Sequence, residues 1–286
     1  MLIAANHPNS FLDAILLCAL HKQPIYCLAR GDAFKNKWVA KILQSLNMFA
    51  VYRVSEGVEN LEENYKTFAK CIQIFNKQGI VLIFSEGRCV NEWKLRPLKK
   101  GTARLALTAW QQGIPLKVVP LGINYQSYNS FGKNIILNYG KPIQGQSMQY
   151  NSLSFGASVL HFNEKLQQQL QKLVIQIAPP NKLLITNTFA IRVSIFKKIL
   201  LAIPAAIGYI MHAPLYMPIK QYCFKKFSKI DHYDSALIGL LFITYPIYLL
   251  IISTSLFAYT GQLISYGIVL IMPIVAWAFV QIKKQF

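Results

Sequence analysis

Acidic side chains are scarce in this chain: eleven Asp and Glu stand against thirty Lys and Arg over 286 residues, a formal charge of +19. That imbalance excludes an acidic, solvating protein and points to a negative partner, either nucleic acid or an anionic membrane. Apolar content separates the two, because 53% of the residues are hydrophobic and the mean hydropathy is +0.32. A soluble nucleic-acid binder has no need of long uncharged apolar runs, so no nucleic-acid partner is expected. Paired cysteine spacing is lacking as well. Cys18, Cys27, Cys71, Cys89 and Cys223 are odd in number and scattered, which makes neither a zinc cage nor a redox pair and fits a reduced compartment. His21, His161 and His212 have no cysteine or carboxylate at ligand spacing, so no metal is expected. A Gly-x-Ser-x-Gly elbow is missing, which argues against a serine hydrolase. No signal peptide is read, since Met1 to Ala5 runs straight into a polar turn without a basic flank. So abrupt a start is compatible with the loss of upstream residues, an amino-terminal anchor among them.

What is there is an alternation. Apolar runs of strand length take turns with helical patterns over residues 1–180, the habit of an α/β domain with a mostly parallel sheet flanked by helices. Strands are expected at Leu2 to Ala5, Ile25 to Leu28, Met48 to Arg53, Ile80 to Phe84, Lys117 to Asn124 and Ile135 to Tyr139. Helices are expected at Phe11 to Lys22, Lys35 to Leu46, Val58 to Lys77, Gly101 to Gln112 and Val159 to Ile177. Pro179-Pro180-Asn181 stops the last of these and marks the domain boundary.

Beyond it the composition changes. Ala236 to Tyr259 and Ile264 to Val280 are uncharged apolar runs of a length that crosses roughly 30 Å of hydrocarbon, so residues 236–286 read as a carboxyl-terminal transmembrane helical hairpin. Their joining loop, Thr260 to Leu263, carries no charge, whereas Lys220, Lys225, Lys226 and Lys229 precede the hairpin and Lys283 and Lys284 follow it. The positive-inside rule puts both hairpin ends in the cytoplasm. Residues 181–235 form a basic connector. Its apolar part, Leu200 to Pro218, is expected to lie in the interface or re-enter, broken by Pro204 and Pro214. That keeps the first domain on the cytoplasmic side of an inner membrane; the competing reading is a third full span.

Two constellations carry chemistry. Asn6-His7-Pro8-Asn9-Ser10-Phe11-Leu12-Asp13 stands where the first strand ends and the first helix begins, the edge at which open α/β sheets place catalytic groups. A histidine there takes a proton from a hydroxyl at neutral pH, and a nearby carboxylate fixes its tautomer. Ser10-x-x-Asp13 also fits a helix-capping arrangement in which Asp13 only satisfies first-turn amides. The second constellation is Phe84-Ser85-Glu86-Gly87-Arg88 closing another strand, with Leu98-Lys99-Lys100-Gly101 opening the helix after it. A glycine, several cations and a helix amino terminus at one edge suit a phosphate monoester, though a solvated basic loop has the same sequence appearance. Tyr52-Arg53 adds one more cation at the end of the third strand.

The order of these motifs, with Leu28 to Phe34, Val51-Tyr52-Arg53, Leu98 to Ala106 and Val119-Pro120-Leu121, closely resembles the lysophosphatidic acid and glycerol-3-phosphate acyltransferases from Leu2 to about Pro142. The resemblance implies His7 as general base and Asp13 as its orienting aspartate. It implies Arg53, Glu86, Gly87 and Arg88 as holders of the acceptor's phosphate and glycerol, and Pro120 as a shaper of the donor site. Lys99 and Lys100 join the phosphate site as helix-start cations. The activity implied is transfer of a fatty acyl group from acyl-CoA or acyl-carrier protein to a glycerol phosphate or lysolipid acceptor at a lipid bilayer, in phospholipid biosynthesis and without a cofactor. The alternative is a non-catalytic, membrane-tethered lipid-binding protein with a degenerate acyltransferase domain. Two departures bear on this. Five residues separate His7 from Asp13 where the family commonly has four, and Cys89 stands where the third motif usually has its arginine. Arg96 can substitute if the loop from Cys89 to Leu95 folds back.

Overall fold

The computed structural model describes residues 1–52, 61–148, 153–177 and 181–283. They divide into two units, Met1–Asn124 with Ile135–Asn181, and Tyr125–Asn134 with Lys182–Phe286. The stretch 178–180, where the sequence marks a boundary, lies outside the described residues.

The first unit is built on strands β1 (Leu2–Ala5), β2 (Ile25–Arg30), β3 (Met48–Val51), β4 (Ile80–Phe84), β5 (Lys117–Tyr125), β6 (Ile135–Tyr139) and β7 (Ile143–Gln144). Their order is β3-β2-β4-β1-β5-β6, with β7 antiparallel beside β5. The pairs β1–β4, β1–β5, β2–β3 and β2–β4 are parallel. A strand paired on both edges and covered on both faces must be apolar throughout, and all four residues of β1 are completely buried. The two-residue β7 is too short to leave a periodic signal, and the sequence did not announce it.

Helices α1 (Phe11–Leu20), α2 (Lys37–Ser45), α3 (Leu61–Asn76), α4 (Gly101–Gln111) and α5 (Phe155–Leu173) fill the connections. Asn36 starts α2 by accepting the amides of Trp38 and Val39, and Ser154 starts α5 by accepting that of Ala157. Ile72 and Phe75 of α3, Leu105 and Leu107 of α4, and Phe162, Leu166 and Leu170 of α5 close over Leu2, Val81 and Val118 in one apolar core. The expected strands and helices are present, with ends shifted by up to four residues; Arg53 and the start of the third expected helix lie outside the described residues.

Five cysteines are free, yet Sγ of Cys18 and Sγ of Cys27 lie 3.9 Å apart. The return from α1 into β2 creates a proximity that spacing did not reveal.

The second unit is helical. It holds α6 (Lys182–Phe189), α7 (Ile195–Phe227), α8 (Tyr233–Thr260) and α9 (Ile268–Ile282). Three of its helices, Ile195–Phe227, Tyr233–Thr260 and Leu263–Ile282, are long and apolar enough to cross a membrane. The expected break at Pro204 and Pro214 does not occur: helix runs through both, and through Pro218 as well. Proline removes one amide donor, which bends a helix without ending it when neighbouring groups take up the freed carbonyl.

Candidate active site

β1 and β4 are adjacent, parallel and in register, with Ala5 opposite Phe84. Residues the same distance past each strand end are therefore neighbours, and His7 meets Glu86 for that reason. The His7 amide donates to Glu86 Oε2 at 2.8 Å, while Glu86 Oε1 accepts the Arg96 amide at 2.8 Å. Glu86 is 4% exposed. Burial pushes its carboxyl above the usual range, and the amides of Arg96 and His7 pull it partly back.

His7 is held from two further sides. Its ring stacks on Phe84, with centroids 3.9 Å apart and planes 9° from parallel. Its Nδ1 lies 2.8 Å from Asp13 Oδ2, and Asp13 is completely buried while the His7 side chain keeps 19% of its surface open. A carboxylate oxygen accepts, so Nδ1 carries the proton and Nε2 keeps the lone pair. Asp13 Oδ2 also accepts the Asn9 amide at 2.9 Å, and its Oδ1 is buried without a hydrogen-bond partner among the described residues. Ser10 makes no side-chain cap. The capping and catalytic readings of Asp13 therefore meet in one oxygen, which steadies the turn and orients the ring. Within the turn between His7 and Asp13, Ser10 has a φ of 51°, uncommon for a residue with a side chain.

The loop after β4 folds back over this turn. Val90 N donates to His7 O at 3.2 Å, Asn91 Nδ2 to Pro8 O at 2.7 Å, and the Ser10 amide to Cys89 Sγ at 2.9 Å. Lys99 N then donates to Ser85 O at 2.7 Å and returns the chain to α4. Gly87 has φ +70°, and a Cβ there would stand 2.8 Å from Lys99 Cγ, so both backbone and neighbour ask for glycine. Motif reading gave Phe84 and Cys89 no supporting role and did not include Asn91; proximity in the fold supplies all three contacts.

The structure joins His7, Asp13 and Glu86 directly and packs Gly87 on the Lys99 stem. Arg88, Lys99 and Lys100 are exposed, with side chains that make no hydrogen bond or ion pair to a described residue. Arg53 lies outside the described residues. Arg96 Nη1 is buried and without a hydrogen-bond partner among the described residues. No cluster of His, Cys, Asp or Glu able to hold a metal occurs among the described residues.

Glu86→Gln tests the double clamp. A carboxamide offers one oxygen and turns its NH2 toward the second amide, leaving a buried donor unsatisfied at a cost of about 1–3 kcal/mol. A lowered thermal midpoint is expected; an unchanged midpoint would show that the two bonds add nothing.

Residues 1–124 match the family model described as Acyltransferase. Over 106 residues, 36% of this chain, the sequence is 32% identical to Glycerol-3-phosphate O-acyltransferase 2 of Saccharomyces cerevisiae, and the match covers 14% of that relative. Residues 1–124, in which the histidine and aspartate of the first motif are in contact, are thus similar to known acyltransferases.

Proposed function

We propose that the protein transfers a fatty acyl group from acyl-CoA or acyl-carrier protein to the hydroxyl of a glycerol phosphate or lysophosphatidate acceptor, as a step of phospholipid synthesis. The observation that carries this reading is the fully buried Asp13 carboxylate on Nδ1 of a His7 ring that stays partly open to solvent. With Nδ1 protonated, Nε2 accepts the acceptor hydroxyl's proton as its oxygen bonds to the thioester carbonyl carbon. The carbon–sulfur bond breaks, and the leaving thiolate takes the proton back from the imidazolium. A thioester is already an activated acyl group, so the step calls on no resident metal or cofactor and no enzyme nucleophile.

The acceptor's phosphate is assigned to the cations of the folded-back loop. Arg88, Lys99 and Lys100 are open to solvent, and Arg96 is anchored by its own amide to the carboxylate that holds the His7 amide. The unpartnered Nη1 of Arg96 supports giving it the place of the arginine replaced by Cys89. Arg53 is proposed for the same phosphate by resemblance alone. Glu86 has both oxygens on backbone amides, which favours a positioning role over a grip on the glycerol.

Wild-type protein in lipid, given a radiolabelled acyl donor, is expected to acylate a phosphorylated acceptor with release of one free thiol per ester. Binding without thiol release would favour the degenerate, lipid-binding alternative. Arg96→Gln should raise the acceptor KM about ten- to a hundredfold, the worth of a charged hydrogen bond, while leaving the donor KM and the reaction with a phosphate-free acceptor unchanged. Equal losses on both acceptors would remove Arg96 from the phosphate site.

The apolar helices support attachment to a membrane. We assign the inner membrane, with the acyltransferase unit facing the cytoplasm, where acyl-CoA and acyl-carrier protein are made available.

A further inference from the structure

Helix α7 is continuous from Ile195 to Phe227, yet its two ends lie at the same end of the helical unit. Its first residues run beside the close of α9: Lys197 Nζ donates to Gln281 Oε1 at 2.8 Å, and Leu201 and Ala205 are buried with Ala278 and Ile282. Further on it goes deeper. At Gly208 an added Cβ would stand 2.2 Å from Val275 O, about 9 Å inward from Gln281 at 1.5 Å per residue.

Then the direction reverses. Met211 O accepts from Tyr248 Oη at 2.6 Å, and His212 Nε2 lies 3.1 Å from Tyr245 Oη. Cys223 is buried with Tyr233 and Leu237 at the start of α8, about 20 Å back along that helix. Between these points the Tyr216 ring stands beside the Phe131 ring, and Lys283 Nζ lies 5.9 Å from the Tyr216 centroid. On a straight helix Leu201 and Tyr216 would be about 22 Å apart along the axis, but both meet the last two turns of α9 or the residue after it. The helix is therefore folded back near residues 208–214.

The chemistry at the apex fits such a bend. Pro214 has no amide hydrogen for the Ile210 carbonyl. His212 Nδ1 donates to Gly208 O at 2.7 Å and Tyr248 Oη donates to Met211 O, so side chains add donors to carbonyls on both sides of Ile210. Backbone carbonyls at membrane depth require that supply.

We infer that α7 is a re-entrant wedge: it dips into one leaflet and returns, so that only the turn between α8 and α9 reaches the opposite face. The charge pattern agrees independently. Lys197, Lys198, Lys220, Lys225, Lys226, Lys229 and Lys283 all flank the end at which α7 enters and leaves, and residues 261–267 carry no charge. A full span of α7 would divide these cations between the two faces, against the positive-inside rule. The surface thus fits one anionic leaflet, with a cationic collar at its headgroups.

The test uses the full chain in sealed membrane vesicles of both orientations and needs no turnover, so it stands apart from the acyltransferase reading. Ala190→Cys, Ser228→Cys and Gln262→Cys, at exposed positions, are treated with a membrane-impermeant maleimide, and labelled peptides are identified by mass. Detergent-opened vesicles report full labelling of each site. Positions 190 and 228 are expected to label from the same side and 262 from the other. Labelling of 190 and 228 from opposite sides overturns the wedge, and labelling of all three from one side overturns it together with the α8–α9 crossing.

Discussion

Replacing His7 with alanine is expected to lower kcat for acyl transfer by on the order of a hundred- to ten-thousandfold, the usual worth of a positioned general base. The acceptor and donor KM values should change little, because the ring's task is the proton and not the grip on substrate. Three contacts hold that ring: Asp13 Oδ2 on Nδ1, Phe84 beneath it and Glu86 on its own amide. The alanine variant keeps the last of these, so its fold should survive and a loss of rate can be read as chemistry. Asp13→Asn is the companion. Its amide group either donates to Nδ1 and moves the imidazole proton to Nε2, the wrong tautomer, or turns its oxygen inward and leaves the Asn9 amide less well served. It should lose rate nearly as severely, with kcat/KM measured under single-turnover conditions. Turnover by His7→Ala within a factor of two of the wild type would remove the imidazole from the mechanism.

The placement of the strands along the chain was legible because a sheet buried on both faces writes itself as uninterrupted apolar runs, as in Leu2 to Ala5 and Ile80 to Phe84. The His7–Asp13 pair was legible too, since the two are close in sequence and sit at a strand-to-helix junction. What sequence could not supply was register. Nothing local indicates that Ala5 stands opposite Phe84, yet that pairing hands the His7 amide to Glu86 and makes a clamp on the backbone that motif reading did not include. The shifted arginine is a similar case: Arg96 becomes a neighbour of the site only because the loop after β4 is sewn to Pro8, His7 and Ser10. In the helical unit, composition announced apolar segments and the prolines announced a disturbance. That proline would leave α7 continuous could not be read locally, and side-chain donors beside the bend, Tyr248 and His212, appear only in the fold, one of them 37 residues away in sequence from the carbonyl it serves.

The same distance in sequence hides the most consequential charge pair of the helical unit. Lys133 and Asp234, 101 positions apart, form an ion pair with 5% and 1% of their side-chain surfaces exposed. Lys133 belongs to the segment 125–134, and Asp234 to the first turn of α8, where a negative charge also complements the helix dipole. A pair this deeply buried repays its lost hydration only while both members are present. Asp234→Ala should therefore destabilise the unit by about 3–5 kcal/mol, because it leaves an ammonium group in an apolar setting, and Lys133→Ala should do so comparably. The double replacement Lys133→Met with Asp234→Leu removes both charges and fills the space, and it should restore most of the loss. Thermal unfolding in detergent micelles followed by far-ultraviolet circular dichroism reads all three variants. If each single variant costs under about 1 kcal/mol, as exposed pairs do, water reaches the pair and its burial is not what fixes the segment 125–134 to α8.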